Sequence, residues 1–512
     1  MTPAFRPILW TLAIVAGWEL LARALPGSVL ISGPLAVLTY GLDNAALLAR
    51  AAAETSGNAA WGFVWGKLAA VLLGATIMVI PRSERTLLAL ALLVFCVPLI
   101  ASGPILRVLF GPGTGPQVTL GALAVYYTTL LALLVGLRAV SRTWTDIMGV
   151  YGRGRLSTLY YVRARACLPY LFVGLQISAP AAFLGAMIGE FTGAERGLGV
   201  LTLRAMRGLE TDATWALAIL SALIAMLAYW LIGVLGRRMV GYAPVILLSA
   251  PAGAVSGRRT WARVVEIVLV ALLVLLLWQL LMDAFALNRF FAKRPGDVLA
   301  FLSVAENRQT VLAALTETLS FAVPGYLAGL ALGAALAAML VLSPGLTRAT
   351  MPVAVSLRAV PIITTAPLLV LAFGRGIVGT MVVVAVMIFF PTFVACQQGL
   401  RQTPGQITDL FKSYGASRWH LLRAAQIPAM LPAFFASARM AVPAALLAVT
   451  TVEWLATGKG IGVLMAMTAS TSDYNMLWSC VAILAVVAVA FYALVAALER
   501  AVLRVYASEQ LT

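Results

Sequence analysis

The chain has 512 residues, 62% of them hydrophobic and only 11% charged, with a mean hydropathy of +0.98. Soluble domains carry about a quarter charged residues, so this composition excludes a water-soluble globule, a disordered chain and a disulfide scaffold, and implies a polytopic membrane protein. Thirty-six Lys and Arg against nineteen Asp and Glu leave a net charge of +17, but the charges stand in short segments between apolar runs, which is a topological pattern and not a nucleic-acid surface.

A bilayer core about 30 Å thick takes about 20 apolar residues per helix. Windows of that kind predict spans near 8–25, 56–80, 86–103, 117–137, 169–191 and 213–236, then near 264–285, 319–342, 351–373, 377–398, 429–453 and 476–498. The first resembles a signal peptide, with Arg6 before an apolar stretch and Ala22-Arg23-Ala24 as a cleavage box. However, Trp18-Glu19-Leu20-Leu21 has a counterpart in Trp278-Gln279-Leu280-Leu281, deep in the chain, so both are read as retained helices. With a cytoplasmic amino terminus, the inner segments receive Arg82, Arg85, Arg138, Arg142, Arg153 and Arg155, and later Arg237, Arg258, Arg348, Arg401, Lys412 and Arg504. The outer segments keep fewer, among them Arg196, Arg289, Lys293, Arg375 and Lys459, so both termini are expected in the cytoplasm. Cys96, Cys167, Cys396 and Cys480 show no CxxC spacing and no nearby histidine, which predicts neither a disulfide framework nor a metal site.

The chain repeats itself. A shift of 263 positions, the distance from Glu190 to Glu453, also pairs Glu54 with Glu317, Pro98 with Pro361, Asp146 with Asp409, Tyr151-Gly152 with Tyr414-Gly415, Pro180 with Pro443, Gly197 with Gly460 and Trp215 with Trp478. Alanine and leucine would coincide by chance in so apolar a chain, whereas these residues would not. The expected organisation is a first half at 1–238, a cytoplasmic linker at 239–262 rich in Gly, Pro, Ser and Arg, and a second half at 263–512. Six crossings per half return the chain to its starting side, so the copies insert in the same orientation, with a substrate path between them. The predicted fold is all-α and polytopic: two homologous six-helix halves in parallel orientation, about twelve transmembrane helices in all.

Between the fourth and fifth span of each half lies a polar segment too long for a turn. In the second half it runs TPGQITDLFKSYGASRWHLLRAAQIPAMLP, residues 403–432. Thr403 is expected to cap a helix, with Pro404 in its first turn and Gln406 at the capping-box spacing. Gly415 suits the left-handed residue that ends it, and Ser417 the cap of the next. Leu410 and Phe411 would be held near water, which suggests docking to a partner. The blander alternative is a polar loop whose apolar residues tuck back onto their own bundle. The same architecture in the first half favours paired docking.

This Gly-centred loop, followed by a helix entered through Ile427-Pro428 and Leu431-Pro432, resembles the EAA loop of binding-protein-dependent ABC importer permeases. APLLVLAFGRG at 366–376 and VEWLATGKGIGVL at 452–464, echoed by GEFTGAERGLGVL at 189–201, resemble the nitrate/sulfonate/taurine branch, which includes permeases for thiamine-precursor pyrimidines and riboflavin. The resemblance covers nearly the whole chain, once per half. It implies that the loops are coupling helices seated in ATPase subunits, at about Thr145 to Gly152 and Pro404 to Gly415. The residues so implicated are Asp146, Tyr151 and Gly152, and Asp409, Leu410, Phe411, Tyr414, Gly415 and Ala416. The first loop departs from the pattern, with Arg165 where the second has Pro428, and with Gly154 and Tyr160 at less typical positions. The resemblance further implies two ATPase copies, an extracytoplasmic solute-binding protein, and a bacterial inner (plasma) membrane location. No nucleic acid and no cofactor are expected on this chain, ATP and Mg being used by the partner ATPase.

There is no GxxxxGK[ST] phosphate loop, so ATP hydrolysis is assigned to another polypeptide and no enzyme activity to this one. The sole histidine, His420, lies in the second loop and is read as a solvated helix residue. Four intramembrane charges remain as candidates. For Glu190 and Glu453, a structural role accepting hydrogen bonds from the turn before Gly197 or Gly460 is preferred to substrate contact. Lys67, where the second half has Leu330, either snorkels, the preferred reading, or lines the path for an anionic substrate; Arg439 carries the same two readings. Trp10, Trp61, Trp215 and Trp478 are read as interfacial anchors. The rival function, an ion-gradient-driven secondary transporter, calls for more ionisable groups at mid-membrane than this chain offers.

Overall fold

The computed structural model describes residues 5–24, 31–111, 113–241, 260–343 and 376–506, together with 366, 369–370 and 372–374. Every regular element among them is helical. The first half comprises α1 (Phe5–Ala24), α2 (Pro34–Asp43), α3 (Ala45–Val79), α4 (Glu84–Cys96), α5 (Leu99–Phe110), α6 (Gly115–Arg138), α7 (Arg142–Val150), α8 (Leu168–Phe191), α9 (Leu198–Arg207) and α10 (Thr211–Val240). The second repeats the order with α11 (Thr260–Ala284), α12 (Pro295–Ser303), α13 (Ala305–Leu342), α14 (Ile377–Arg401), α15 (Gly405–Ser413), α16 (Ile427–Val452), α17 (Ile461–Ser470) and α18 (Tyr474–Tyr506). Among the described residues, eight helices are long and apolar enough to cross a membrane, or nine crossings if the α4–α5 pair forms one. The chain is thus an all-α multi-pass membrane protein. The predicted spans near 8–25 and 264–285 coincide with α1 and α11. The span near 351–373 and the linker at 239–262 lie for the most part outside the described residues.

The predicted third span, 86–103, is not one straight helix. α4 and α5 meet at 91°, because Pro98 disfavours helical backbone in the residue before it, and Val97 accordingly sits extended at φ −69°, ψ 121°. This elbow joins the halves: its Cys96, Ala101 and Ile105 share one buried cluster with Val442 and Leu446 of α16, Met465 of α17 and Leu484 of α18. In the reverse direction, Leu447 of α16 packs into the first half's cluster with Ile100 and Phe183.

Each half is built on three closely packed helices, α3, α6 and α8 or α13, α14 and α16. Glycine permits the approach: a Cβ on Gly66 would lie 2.6 Å from the Ala122 carbonyl oxygen, and one on its counterpart Gly329 2.7 Å from that of Ala385. Two tryptophans depart from expectation. Trp215 packs against Trp18, and Trp478 stacks on Trp278, each at 5.3 Å between ring centroids. The Trp478 indole also donates to the Phe291 carbonyl at 2.8 Å. These rings therefore clamp the first helix of each half onto the last and are not free interfacial anchors. Trp61 is exposed on the bundle surface; the Trp10 side chain lies outside the described residues.

Candidate coupling loops and buried polar clusters

The two polar loops fold alike. Each opens with a nine-residue helix, α7 or α15, and each helix is closed by a left-handed glycine, Gly152 at φ +63° and Gly415 at φ +66°. Around the first, Gly152 N–H donates to Gly149 O at 2.9 Å and Arg153 N–H to Met148 O at 2.9 Å. Around the second, Gly415 N–H donates to Lys412 O at 3.0 Å and Ala416 N–H to Phe411 O at 2.9 Å. This is the Schellman closure, which consumes carbonyls left over at a helix end. A Cβ at either glycine would meet nothing within 4 Å, so backbone conformation and not space demands glycine there.

The start of α15 differs from expectation. Pro404 is the N-cap, no side chain caps it, and Thr403 instead donates to the Leu400 carbonyl at 3.1 Å. The capping box of Thr403 and Gln406 does not form, because the helix begins one residue later, with Pro404 and not Thr403 as its N-cap. Ser417 does cap the next helix, accepting from His420 N–H at 3.2 Å.

Apolar side chains, with the tyrosine that follows each helix, line one exposed stripe of α7 and of α15. In α7 they are Trp144, Ile147 and Tyr151, the last 76% exposed; in α15 they are Ile407, Leu410 and Tyr414, the last 83% exposed. Asp146 and Asp409 stand in water beside them, Asp409 paired with Lys412 at 3.2 Å. Phe411 corrects the expectation of exposure: it is half-buried, turned back so that its ring lies 5.8 Å from the His420 ring. Ala416 is likewise half-buried.

Sequence reasoning missed how the loops are fastened. Arg155 donates to the Val79 carbonyl at 3.3 Å, and Arg418 to the Leu342 carbonyl at 3.3 Å. Each guanidinium thus meets the carboxyl end of the long span α3 or α13, where unpaired carbonyls and the helix dipole favour a cation. Beyond it, each loop passes through one π-helical turn, Leu159–Arg163 or Leu422–Gln426, before the next span. All of these pairs stand 263 positions apart in the sequence; that regularity was the available signal.

At the opposite end of α8 and α16, Glu190 and Glu453 are buried and bind backbone. Glu190 Oε2 accepts from Gly199 N–H at 2.7 Å and Glu453 Oε2 from Gly462 N–H at 2.8 Å. Thr55 Oγ1 accepts from Leu198 N–H at 2.8 Å and Thr318 Oγ1 from Ile461 N–H at 2.9 Å. These groups satisfy the first amides of the half-embedded helices α9 and α17. The bonds follow Gly197 and Gly460 in the chain rather than preceding them, and Gly460 N–H goes to Glu317 at 3.1 Å.

Lys67 does not snorkel. It is 9% exposed, its ammonium bonded to the hydroxyls of Thr129 on α6 and Ser178 on α8 and lying 4.5 Å from the centre of the Phe63 ring. On its own helix the buried neighbours are Gly66 and Ala70, and the side chain is directed with them toward α6 and α8. Arg439 neither snorkels nor stands alone: its Nε lies 3.0 Å from Glu499 Oε2, both side chains being almost buried.

Comparison with known proteins agrees with this geometry. The sequence profile of the family described as binding-protein-dependent transport system inner membrane component matches residues 62–241 and again 325–504, displaced by the same 263 positions. The chain is 33% identical over 168 residues to a "Probable ABC transporter permease protein" of Haemophilus influenzae, covering 33% of this chain and 69% of the relative. It is 30% identical to the riboflavin transport system permease protein RibX of Chloroflexus aurantiacus, covering 32% and 61%, and 32% identical to the formylaminopyrimidine transport permease protein ThiX of Halalkalibacterium halodurans, covering 29% and 59%. The chain thus spans about three-fifths of the length of the last two relatives. With the profile matched twice over most of its length, this chain belongs to the family of binding-protein-dependent transport system inner membrane components and carries the family's unit two times in one polypeptide.

Proposed function

We propose that the chain is the transmembrane permease subunit of an ATP-driven importer, its halves at 1–238 and 263–512 joined by a cytoplasmic linker at 239–262 and forming the path for a small solute between them. Two separate ATPase subunits supply ATP hydrolysis with Mg, and an extracytoplasmic binding protein delivers the solute; this chain itself holds no cofactor. Both termini lie in the cytoplasm of a bacterial inner membrane. The observation that carries this reading is the pair of coupling helices, each with an exposed apolar stripe, a left-handed glycine closure and an arginine tie to the end of a long span. Closure of the ATPase pair would push α7 and α15 together. Their arginine ties and the helices that run directly from the loops into α8 and α16 would pass that displacement to the spans, so that the halves alternate between two packings. The relatives are named for riboflavin and formylaminopyrimidine, unlike chemistries on one scaffold, which supports assigning substrate choice to the binding protein.

Gly415→Pro tests this. Proline cannot adopt φ +66° and has no N–H for the Lys412 carbonyl, so ATP-dependent uptake should be abolished while the protein still inserts and the α16–α18 bundle still folds. Unchanged uptake would refute the coupling role, as would labelling that puts residues near 150 and near 415 in opposite compartments. Uptake that survives ATP depletion but collapses with an uncoupler would establish the ion-gradient alternative.

A further inference from the structure

Between the first coupling loop and the ends of α3, α4 and α6 lies a cavity of about 400 Å³. Its wall carries Arg138, Arg153, Arg155 and Arg163 against the one carboxylate of Glu84, which is engaged by Arg138 at 2.6 Å. Arg155 spends one nitrogen on the Val79 carbonyl. One nitrogen of Arg163 faces the Met78 sulfur at 3.0 Å, a weak acceptor for a guanidinium. Each guanidinium has five N–H donors in a fork that fits phosphate oxygens, so the cavity presents cationic donors that its own wall does not satisfy. α7 closes one side through Thr145 and Gly149.

The second half shows that this charge is not required for folding. It retains Arg401 and Arg418 but has Ala416 and Gln426 where the first has Arg153 and Arg163, and it nonetheless forms the same short helix, glycine closure and π-helical turn. The two extra arginines therefore serve something that the loop architecture does not need. The cavity sits where membrane-spanning helices end, and basic pockets between such helices at the cytoplasmic surface suit phosphate-bearing headgroups.

We propose that this cavity binds a phosphate anion, carried by an anionic phospholipid headgroup or free in the cytoplasm, between the first coupling helix and the ends of α3 and α6. The bound anion braces α7 against the bundle and so sets the stiffness of the first lever independently of the second. The bracing consequence rests on the coupling role proposed above; the binding rests only on the cytoplasmic placement of the loop proposed there.

The test uses the full chain purified in detergent and follows hydrogen–deuterium exchange over residues 142–163, without any uptake measurement, so its failure leaves the coupling role standing. The protein is titrated separately with inorganic phosphate, with phosphatidylglycerol in mixed micelles, and with phosphatidylcholine in the same micelles. Slowed exchange with phosphatidylglycerol but not with the other two supports a lipid headgroup; slowed exchange with inorganic phosphate as well supports a free anion. The double substitution Arg153→Ala with Arg163→Gln installs the residues of the second half, should leave exchange in α8 and α10 unchanged, and should raise the concentration needed at least about tenfold, since charge-assisted donors to phosphate are lost. Arg207→Ala, at the opposite end of the bundle, should leave the response intact. No slowing with either anion, an undiminished response in the double variant, or an equal loss in the Arg207 variant would overturn the proposal.

Discussion

At the turns that follow α8 and α16 the two halves share two bonds, a buried glutamate on the second amide of a short helix and a threonine on the first, with lengths that agree to 0.1 Å. In the middle of the same bundles the correspondence ends. Lys67, Thr129 and Ser178 of the first half face Leu330, Thr392 and Ala441 in the second, and Gln176 and Gly236 of the first face the Arg439–Glu499 pair. The difference has a physical origin. Buried amides at a helix start require acceptors in either copy, whereas an interior packing position requires chiefly volume, which a lysine with two hydroxyls or a leucine with an alanine supplies.

Three sets of substitutions would break or sharpen that contrast. The largest effect is expected from Arg439→Gln, which strands Glu499 in a nearly dry site; loss of one partner of such a pair costs about 3 to 5 kcal/mol, so thermal unfolding in detergent should fall by several degrees. Glu499→Gln in the same chain should recover much of the loss, and if it does not, the pair is not the reason for the fall. Next come Gly197→Ala and Gly460→Ala. Each glycine has positive φ, +128° and +94°, and a Cβ would lie 2.2 Å from a carboxylate atom of Glu190 or Glu453. Strain and overpacking together should cost about 2 to 3 kcal/mol, and by nearly the same amount in the two halves. Unequal unfolding shifts would show that the turns are not equivalent after all. The smallest effect, and of opposite sign, is expected from Lys67→Leu. Thr129 and Ser178 keep their own carbonyl partners, Val125 at 2.9 Å and Gly174 at 2.7 Å, so removing a buried ammonium should leave stability unchanged or raise it by about 1 kcal/mol. A clear loss of stability would mean that the ammonium is an integral tie between α3, α6 and α8.

Much of this was legible in the sequence, for identifiable reasons. Gly152 and Gly415 announced left-handed turns because few other residues adopt positive φ, and Ser417 announced a cap. Thr403 misled, since the residue at which a helix begins is set by how the preceding span ends, and here that makes Pro404 the N-cap. Phe411 misled in the same way: its helix face was readable, but its contact with His420 depends on how the following helix folds back. Lys67 was read as snorkelling because a span position gives depth without facing, and the facing proved to be toward α6 and α8.

The sequence by itself determined the class, the duplication and the two glycine-closed loops. An apolar period, a constant offset of 263 residues and a glycine with its own backbone preference are local or arithmetical properties. Only the tertiary structure decided the elbow at Pro98 as the seam between halves, the pairing of Arg439 with Glu499, the arginine ties at Val79 and Leu342, and the basic cavity under α7. Each of those depends on which helix faces surround a residue, and a chain position carries no record of its neighbours across a bundle.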